Sequence, residues 1–427
     1  MRKAGLPFIN ISQPCEMSAP RKGKRMPEGP FKVYSLLLVI AILLTTTPGF
    51  GQRSRAQYPV YLSRACFSVN VGYINYPFTN EHMEPGFVAE SITIPHTAVR
   101  LSLYGWQFSD YLSMHISYMR PILWVNYHDI NGERNRKSVW MNIAGLTAVP
   151  QLPLSDRFSV FGEFGLSIIT RNGFHVNHVT AMRDVSYASI LLGSGFTYRL
   201  GGSWELMVHG GWTPANKKAR QPYSTFFFPG IKYRLSPLSE EKVAANTNPA
   251  IFFPKNQIQL GISTNAFGYG VNAFFSEGTI PVFWGGNAVV ERGIALSYMR
   301  NVFHGRKIFA LDFGAAVSYF ETDQVRTPFY TLAIFPVLRF TLLRTRPADF
   351  FFFYSAAGPT YISKAVIDGV DTGKRFTFHD FMGIGMVAGK NRTLSAEIKI
   401  GHYSNGNLFP QNAGVKIPLT FALGYNF

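Results

Sequence analysis

The stretch LTFALGYNF, residues 419–427, ends the chain with an unbroken alternation of large apolar and small or polar side chains. Leu419, Phe421, Leu423 and Tyr425 occupy one set of positions, and threonine, alanine, glycine and asparagine occupy the other. Successive side chains of a β-strand point to opposite faces. One face of this segment is therefore apolar and the other small or polar, which predicts a strand between two different environments.

The same division recurs along the chain. In residues 309–314 phenylalanine and leucine alternate with alanine, aspartate and glycine, and in residues 204–209 tryptophan, leucine and valine alternate with glutamate, methionine and histidine. A soluble sandwich also alternates, but its outer face is richer in charge, whereas the charged residues here concentrate between the segments. A transmembrane barrel explains the pattern better, since only a closed sheet satisfies every backbone hydrogen bond without water.

The composition argues against a bundle of membrane helices. Of the 427 residues, 47% are hydrophobic and 15% charged, and the mean hydropathy is +0.04. A helical bundle would need several runs of about 20 apolar residues. The formal net charge is +17. Basic clusters such as Arg134/Arg136/Lys137 and Lys217/Lys218/Arg220 could face an anionic surface, but we favour their interpretation as solvated loops. We therefore expect no nucleic-acid partner.

Sixteen alternating segments are indicated, eight on each side of the stretch SPLSEEKVAANTNPAIFFPK. They lie near residues 65–75, 97–107, 111–127, 137–149, 158–170, 185–200, 203–213 and 222–235, and near 256–270, 290–302, 307–322, 327–343, 349–364, 377–389, 393–403 and 417–427. Two closed eight-stranded barrels need such a tether, whereas a single sixteen-stranded barrel needs only a turn. We therefore favour an all-β fold of two tandem transmembrane antiparallel β-barrels over the single-barrel alternative. The expected domains are residues 52–235 and 256–427, joined by a periplasmic linker at 236–255.

A secretory signal peptide is predicted ahead of the first barrel. The apolar run VYSLLLVIAILL, residues 33–44, follows a basic stretch and precedes small residues. This arrangement is typical of a cleaved signal. We expect residues 1–51 to comprise the signal and an over-long N-terminal extension, removed after Gly51 or Ala56. The chain has two cysteines, Cys15 and Cys66. Cys15 would leave with the signal, so Cys66 cannot form an internal disulfide in the mature chain.

Tight and long connections alternate between the predicted strands. The tight ones are Ser109-Asp110, Gly201-Gly202 and Gly389 to Arg392, and the longer ones are 76–96, 171–184, 365–376 and 404–416. Outer-membrane barrels have short periplasmic turns and longer outer loops. We therefore expect residues 404–416 to lie outside the cell.

The stretch GHYSNGN, residues 401–407, stands at the outer end of the penultimate segment. His402 shares the apolar, lipid-facing side of that segment, and Ser404 joins it if the strand continues by two residues. Polar groups that face a bilayer are costly and tend to be functional or interfacial. An imidazole beside a hydroxyl can take its proton and so activate it as a nucleophile. The alternative interpretation is that His402 and Ser404 are ordinary polar residues at the point where a strand enters its loop.

A barrel that ends in His-x-Ser-Asn, a loop and a last strand closing on an aromatic residue resembles the outer-membrane lipid A 3-O-deacylase (PagL-type, acyloxyacyl hydrolase) family. The resemblance covers about residues 254–427, and the first half resembles only a generic outer-membrane β-barrel. It implies a hydrolase with Ser404 as nucleophile, His402 as general base and Asn405 in the oxyanion hole. It also implies that the partner is lipid A of lipopolysaccharide, in the bacterial outer membrane.

One position departs from the family's pattern. The family has a glutamate fourteen residues after the histidine, where it orients the imidazole, and this chain has Lys416 there. Asn412 and Asp380 are the other candidates for that role, although the parity of Asp380 along its segment suggests the opposite face. Loss of an orienting acid weakens such a site without necessarily abolishing it.

Three functions fit the sequence. The first is a membrane-embedded esterase acting on lipid A, and the second is a structural or lipopolysaccharide-binding barrel without turnover. The third is a small-solute channel, disfavoured because side chains fill eight-stranded lumens. We expect no metal and no cofactor: His379-Asp380 and His128-Asp129 lack a third ligand at suitable spacing and are better interpreted as strand-end polar residues. The sequence does not predict the oligomeric state.

Overall fold

The computed structural model describes residues 55–276 and 285–427. The predicted signal peptide, with its apolar core at residues 33–44, lies outside the described residues. Within the two described ranges, no helix has the length and apolar character that crossing a membrane requires.

The first barrel is built from strands of the N-terminal half. The strands there are β1 Ala65–Asn75, β2 Ala89–Thr93, β3 Thr97–Ser109, β4 Leu112–Pro121, β5 Val125–Ile130, β6 Arg136–Pro153, β7 Phe158–Asn172, β8 Phe174–Val176, β9 Val179–Met182, β10 Val185–Gly201, β11 Trp204–Thr213 and β12 Ser224–Arg234. Eight of them close into an antiparallel ring in the order β1-β3-β4-β6-β7-β10-β11-β12. Strands β2 and β5 extend the sheet beyond β6, and β8 and β9 form a hairpin between β7 and β10.

The second barrel follows a linker that carries helix α1, Glu240–Thr247, whose first turn is capped by the Ser239 side chain. Its strands are β13 Asn256–Thr264, β14 Ala288–His304, β15 Phe309–Thr322, β16 Pro328–Arg344, β17 Ala348–Ile362, β18 Val366–Ile367, β19 Val370–Asp371, β20 Phe376–Ala388, β21 Leu394–Ser404 and β22 Val415–Asn426. The closed order is β13-β14-β15-β16-β17-β20-β21-β22, with β18 and β19 as a separate hairpin. Helix α2, Gly270–Ser276, lies between β13 and β14.

The predicted fold class of two tandem eight-stranded antiparallel barrels is confirmed, and the single sixteen-stranded alternative is wrong. Three predicted segments differ by more than two residues at an end. The segment at 137–149 continues as β6 to Pro153. The segment at 111–127 is two strands, because β4 ends at Pro121, which has no N–H to continue the ladder. The segment at 256–270 stops at Thr264 and leads through a short 3-10 turn into α2.

The two faces of the strands divide as the alternation predicts. In β22, Leu423 and Tyr425 are exposed on the outer wall, and Thr420 and Ala422 are buried on the lumen side. Side chains fill both lumens. In the first barrel the carboxylate of Glu163 receives hydrogen bonds from Arg100 at 2.6 Å and Thr147 at 2.7 Å. Removing one partner of this cluster would leave a buried charge uncompensated and so destabilise the barrel.

The lumen of the second barrel encloses a cavity of only about 40 Å³, lined by His379, Phe381 and Lys399 among others. A space of this size holds a water molecule or two and excludes a lipid. Chemistry on a lipid therefore has to take place on the outer wall.

Candidate functional site

The site lies at the C-terminal end of β21, where the strand leads into the loop of residues 405–414, which we call the site loop. Strands β20 and β21 pair without a register shift from Phe378 opposite Ser404 to Ala388 opposite Leu394. Ser395 and Glu397 are buried on the lumen side of β21, and Ile398 is exposed on the outer wall. His402 and Ser404 have the parity of Ile398, so both face outward.

Asp380 is the carboxylate partner of His402. It lies directly opposite His402 in the β20–β21 ladder, and its Oδ2 is 3.7 Å from His402 Nε2. The sequence-based assignment of Asp380 to the opposite face is wrong. Asp380 has the parity of Ile384, which is exposed on the outer wall, so it faces outward. The register of β20 against β21, which the sequence of one strand does not show, then brings it opposite His402.

A backbone irregularity in β17 holds the Asp380 carboxylate. The register between β17 and β20 shifts between Ser355 and Gly358, and Ala357 has a φ of 54° within that shift. The main-chain N–H of Ala357 donates to Asp380 Oδ1. Bulges of this kind re-aim groups beside functional sites. Oδ1 is fixed by the backbone, so Oδ2 is directed toward His402.

Lys416 flanks His402 on the other side. The two residues are directly opposite in the β21–β22 ladder, beyond a register shift between Lys399 and Gly401. His402 therefore lies between a carboxylate on β20 and an ammonium on β22, and only 2% of its surface is exposed. Lys416, fourteen residues after His402, therefore places a positive charge on the strand next to the imidazole.

Asn405 holds the site loop. Its side-chain Nδ2 donates to the carbonyls of Gln411 at 2.6 Å and Thr372 at 3.2 Å, and its main-chain N–H donates to Asn412 Oδ1 at 2.7 Å. Asn412 in turn donates to Asn407 Oδ1 at 2.7 Å. Asn412, considered above as a partner for the imidazole, thus stabilises the loop instead. The donors of Asn405, predicted for an oxyanion, are engaged by loop acceptors.

A short apolar element covers the outer wall beside the site. Tyr269, just before α2, donates through its hydroxyl to the carbonyl of Val290 at 2.6 Å, and Asn272 of α2 donates to the carbonyl of Ile417 at 2.9 Å. The ring of Phe267 lies 5.7 Å from that of the outward-facing Phe421, and Phe274 is largely exposed. Exposed aromatic side chains on this wall present an apolar surface next to His402 and Ser404.

Other candidate residues do not form a second site. His379 points into the lumen and stacks on Tyr403 with the ring centroids 4.4 Å apart, whereas its neighbour Asp380 points outward. The two therefore do not act as a pair. In the first barrel, the corresponding strand end, GGWTPAN at residues 210–216, carries no histidine and serine of this spacing.

Two family models match the chain. Residues 90–235 match the OmpA-like transmembrane domain, and residues 293–426 match the lipid A 3-O-deacylase (PagL) family. The chain joins an OmpA-like barrel to a PagL-like barrel. The resemblance predicted for the C-terminal half is confirmed, and so is the location in the bacterial outer membrane. No curated protein sequence matches the chain.

Several solved structures similar to this chain span about one barrel of it. The outer membrane enzyme PagL is 14% identical, with 40% of this chain and 99% of that chain covered and a TM-score of 0.30. The N-terminal β-barrel domain of Pseudomonas aeruginosa OprF is 11% identical, with 40% and 98% covered and a TM-score of 0.26. The attachment protein Ail of Yersinia pestis is 13% identical, with 40% and 99% covered and a TM-score of 0.28. Likenesses at this level carry no functional argument.

Replacing Asn405 with alanine should loosen the site loop, because two carbonyls lose their donor. At about 0.5–1.5 kcal/mol for each hydrogen bond, loop opening should rise about 5- to 150-fold. Thermolysin cleavage between Asn407 and Leu408 of the folded protein measures it. Asn391→Ala, in the tight turn at the other end of β21, is the control and should change nothing. An unchanged rate for Asn405→Ala would show that the loop is held by other contacts.

Proposed function

We propose that the second barrel is an esterase that removes an ester-linked acyl chain from lipid A in the outer leaflet. Ser404 is the nucleophile, His402 the general base and Asp380 the positioning residue. The single observation that carries the proposal is the contact of His402 with Asp380 on the lipid-facing wall, beside Ser404. A polar cluster on that wall is costly unless it has a function.

The chemistry follows from the charges around the imidazole. His402 accepts the proton of the Ser404 hydroxyl as the oxygen attacks the ester carbonyl, and Asp380 stabilises the imidazolium that results. The imidazolium then gives its proton to the leaving sugar oxygen, and a water molecule hydrolyses the acyl-enzyme by the same route. The 3.7 Å between Nε2 and Oδ2 exceeds a hydrogen bond, and such contacts commonly tighten when substrate binds.

The surroundings support a lipid substrate. The exposed rings of Phe267 and Phe274 offer an apolar surface to acyl chains in the plane of the membrane. The small lumen cavity argues against a substrate that enters the barrel. The PagL family named by the match acts on lipid A, which agrees with this placement.

A second candidate function is a lipopolysaccharide-binding barrel without turnover. Two observations favour it: Lys416 stands where the family has its acid, and the Asn405 donors are already engaged by the site loop. Under the esterase proposal, Asn405 donates to the oxyanion only after its longer bond, to Thr372 at 3.2 Å, is exchanged for one to the substrate.

A serine-directed fluorophosphonate should label Ser404 of the folded protein, because the neighbouring imidazole activates the hydroxyl. His402→Ala should slow labelling by at least about a hundredfold, the usual range for loss of a general base. Peptide mass spectrometry locates the adduct. Ser395, on the lumen side of the same strand, should stay unlabelled. Equal labelling of wild type and His402→Ala would mean that His402 is not the base.

Asp380→Asn should lower kcat for fatty-acid release from lipid A in detergent micelles by up to about ten thousandfold, with KM little changed, as when the acid of a triad becomes an amide. Lys416→Glu in that background should restore part of the rate, since a carboxylate then flanks His402 from β22. Heat-modifiable gel mobility checks that each variant is folded. If Asp380→Asn keeps the full rate, Asp380 has no positioning role.

A further inference from the structure

We propose that the first barrel positions the site loop of the second barrel through a row of polar side chains on its outer wall. The row consists of Asn142 on β6, Thr170 on β7 and Ser186 on β10, and we call it the docking row. Asn142 is directly opposite Thr170 in one ladder, and Thr170 is directly opposite Ser186 in the next. The three side chains therefore share one face of three adjacent strands.

That face is the outer wall of the first barrel. Glu163 of β7 points into the lumen, where it pairs with Arg100. Thr170 is seven residues further along the same strand, and β7 pairs with β10 without a register shift. An odd separation reverses the face, so Thr170 points outward, and its neighbours in the row do the same. The row stands at the outer end of the barrel, beside the long connection that precedes β10.

Carbonyl groups of the site loop accept hydrogen bonds from all three side chains of the docking row. Asn142 Nδ2 donates to the carbonyl of Asn407 at 2.9 Å. The hydroxyls of Thr170 and Ser186 both donate to the carbonyl of Leu408, at 3.1 and 2.9 Å. Asn142 is 1% exposed and Thr170 is fully buried. Unpaired polar groups on a lipid-facing wall would cost free energy, so the row requires a partner, and the site loop provides it.

The loop connects this contact to the site. Asn407, whose carbonyl binds Asn142, accepts through its side chain from Asn412, and Asn412 accepts from the main-chain N–H of Asn405. Asn405 directly follows Ser404. A second contact lies further along the loop, where Gln411 Nε2 donates to Asp184 Oδ2 at 3.3 Å. The first barrel thus fixes the carbonyls of residues 407 and 408, which in turn set where the chain leaves β21.

Docking can be tested without any enzymatic assay. In a Cys66→Ala background, the pair Ser186→Cys and Leu408→Cys should become joined within one chain by oxidation or a short thiol cross-linker, as peptide mass spectrometry can show. The control pair, Ser203→Cys with Leu408→Cys, should not, because Ser203 lies at the other end of β10. A folded protein in which the first pair never links overturns the proposal.

The role of the docking row in positioning the site loop is tested by replacing its three polar side chains with apolar ones. The triple variant Asn142→Leu, Thr170→Val, Ser186→Ala should raise thermolysin cleavage between Asn407 and Leu408 by at least about tenfold, since three hydrogen bonds are lost. Thr197→Val, buried in the lumen of the same barrel, is the matched control and should leave the rate unchanged. Equal cleavage of the triple variant and wild type overturns the proposal, whatever happens to activity.

The effect on catalysis rests on the proposed function. If the second barrel is an esterase, kcat of the triple variant should also fall at least about tenfold. The ordered loop holds Ser404 in position for attack, and a misplaced nucleophile reacts slowly. Failure of wild type to release fatty acid would count against the esterase, and the cross-link and the cleavage rate would still decide whether the first barrel holds the loop.

Discussion

The fold depends on one constraint, which is that a chain in hydrocarbon must satisfy its own backbone hydrogen bonds. Both sets of eight strands meet it by closing, β1 with β12 and β13 with β22. Closure then assigns each side chain to the lumen or to lipid. A polar side chain on the outer wall is an exception that needs a cause, and we propose that such exceptions mark the functional surface of this protein.

One group of such side chains lies at the C-terminal end of β21, another lies on β6, β7 and β10, and the two groups are linked. One is His402, Asp380 and Ser404 on the second barrel, and the other is the docking row on the first. The site loop lies between them: it begins after Ser404, and its carbonyls accept the hydrogen bonds of Asn142, Thr170 and Ser186. The two barrels therefore have separate lumens and share one polar region outside them.

Local pattern was enough to predict the barrels, because the alternation of side chains in a strand such as β22 is a property of consecutive residues. It also placed His402 and Ser404 on the outer wall. The partner of His402 was assigned to the wrong face, although Asp380 has the parity of the exposed Ile384 within β20. Its place directly opposite His402 depends on the register of β20 against β21 and could not be predicted from either strand alone. The bulge at Ala357 brings its main-chain N–H to Asp380 on another strand, and Asn405 and Asn412 bond to each other within an irregular loop. Neither contact follows a periodic pattern, so the sequence did not predict them.

The most direct test of the central claim is mass spectrometry of lipid A from cells that produce the protein. With wild-type protein, we expect lipid A lighter by one ester-linked acyl chain. With an equal amount of folded Ser404→Ala in the outer membrane, we expect lipid A that keeps that chain. Identical lipid A in the two strains would contradict the proposed esterase activity and favour a barrel that binds lipopolysaccharide without cleaving it.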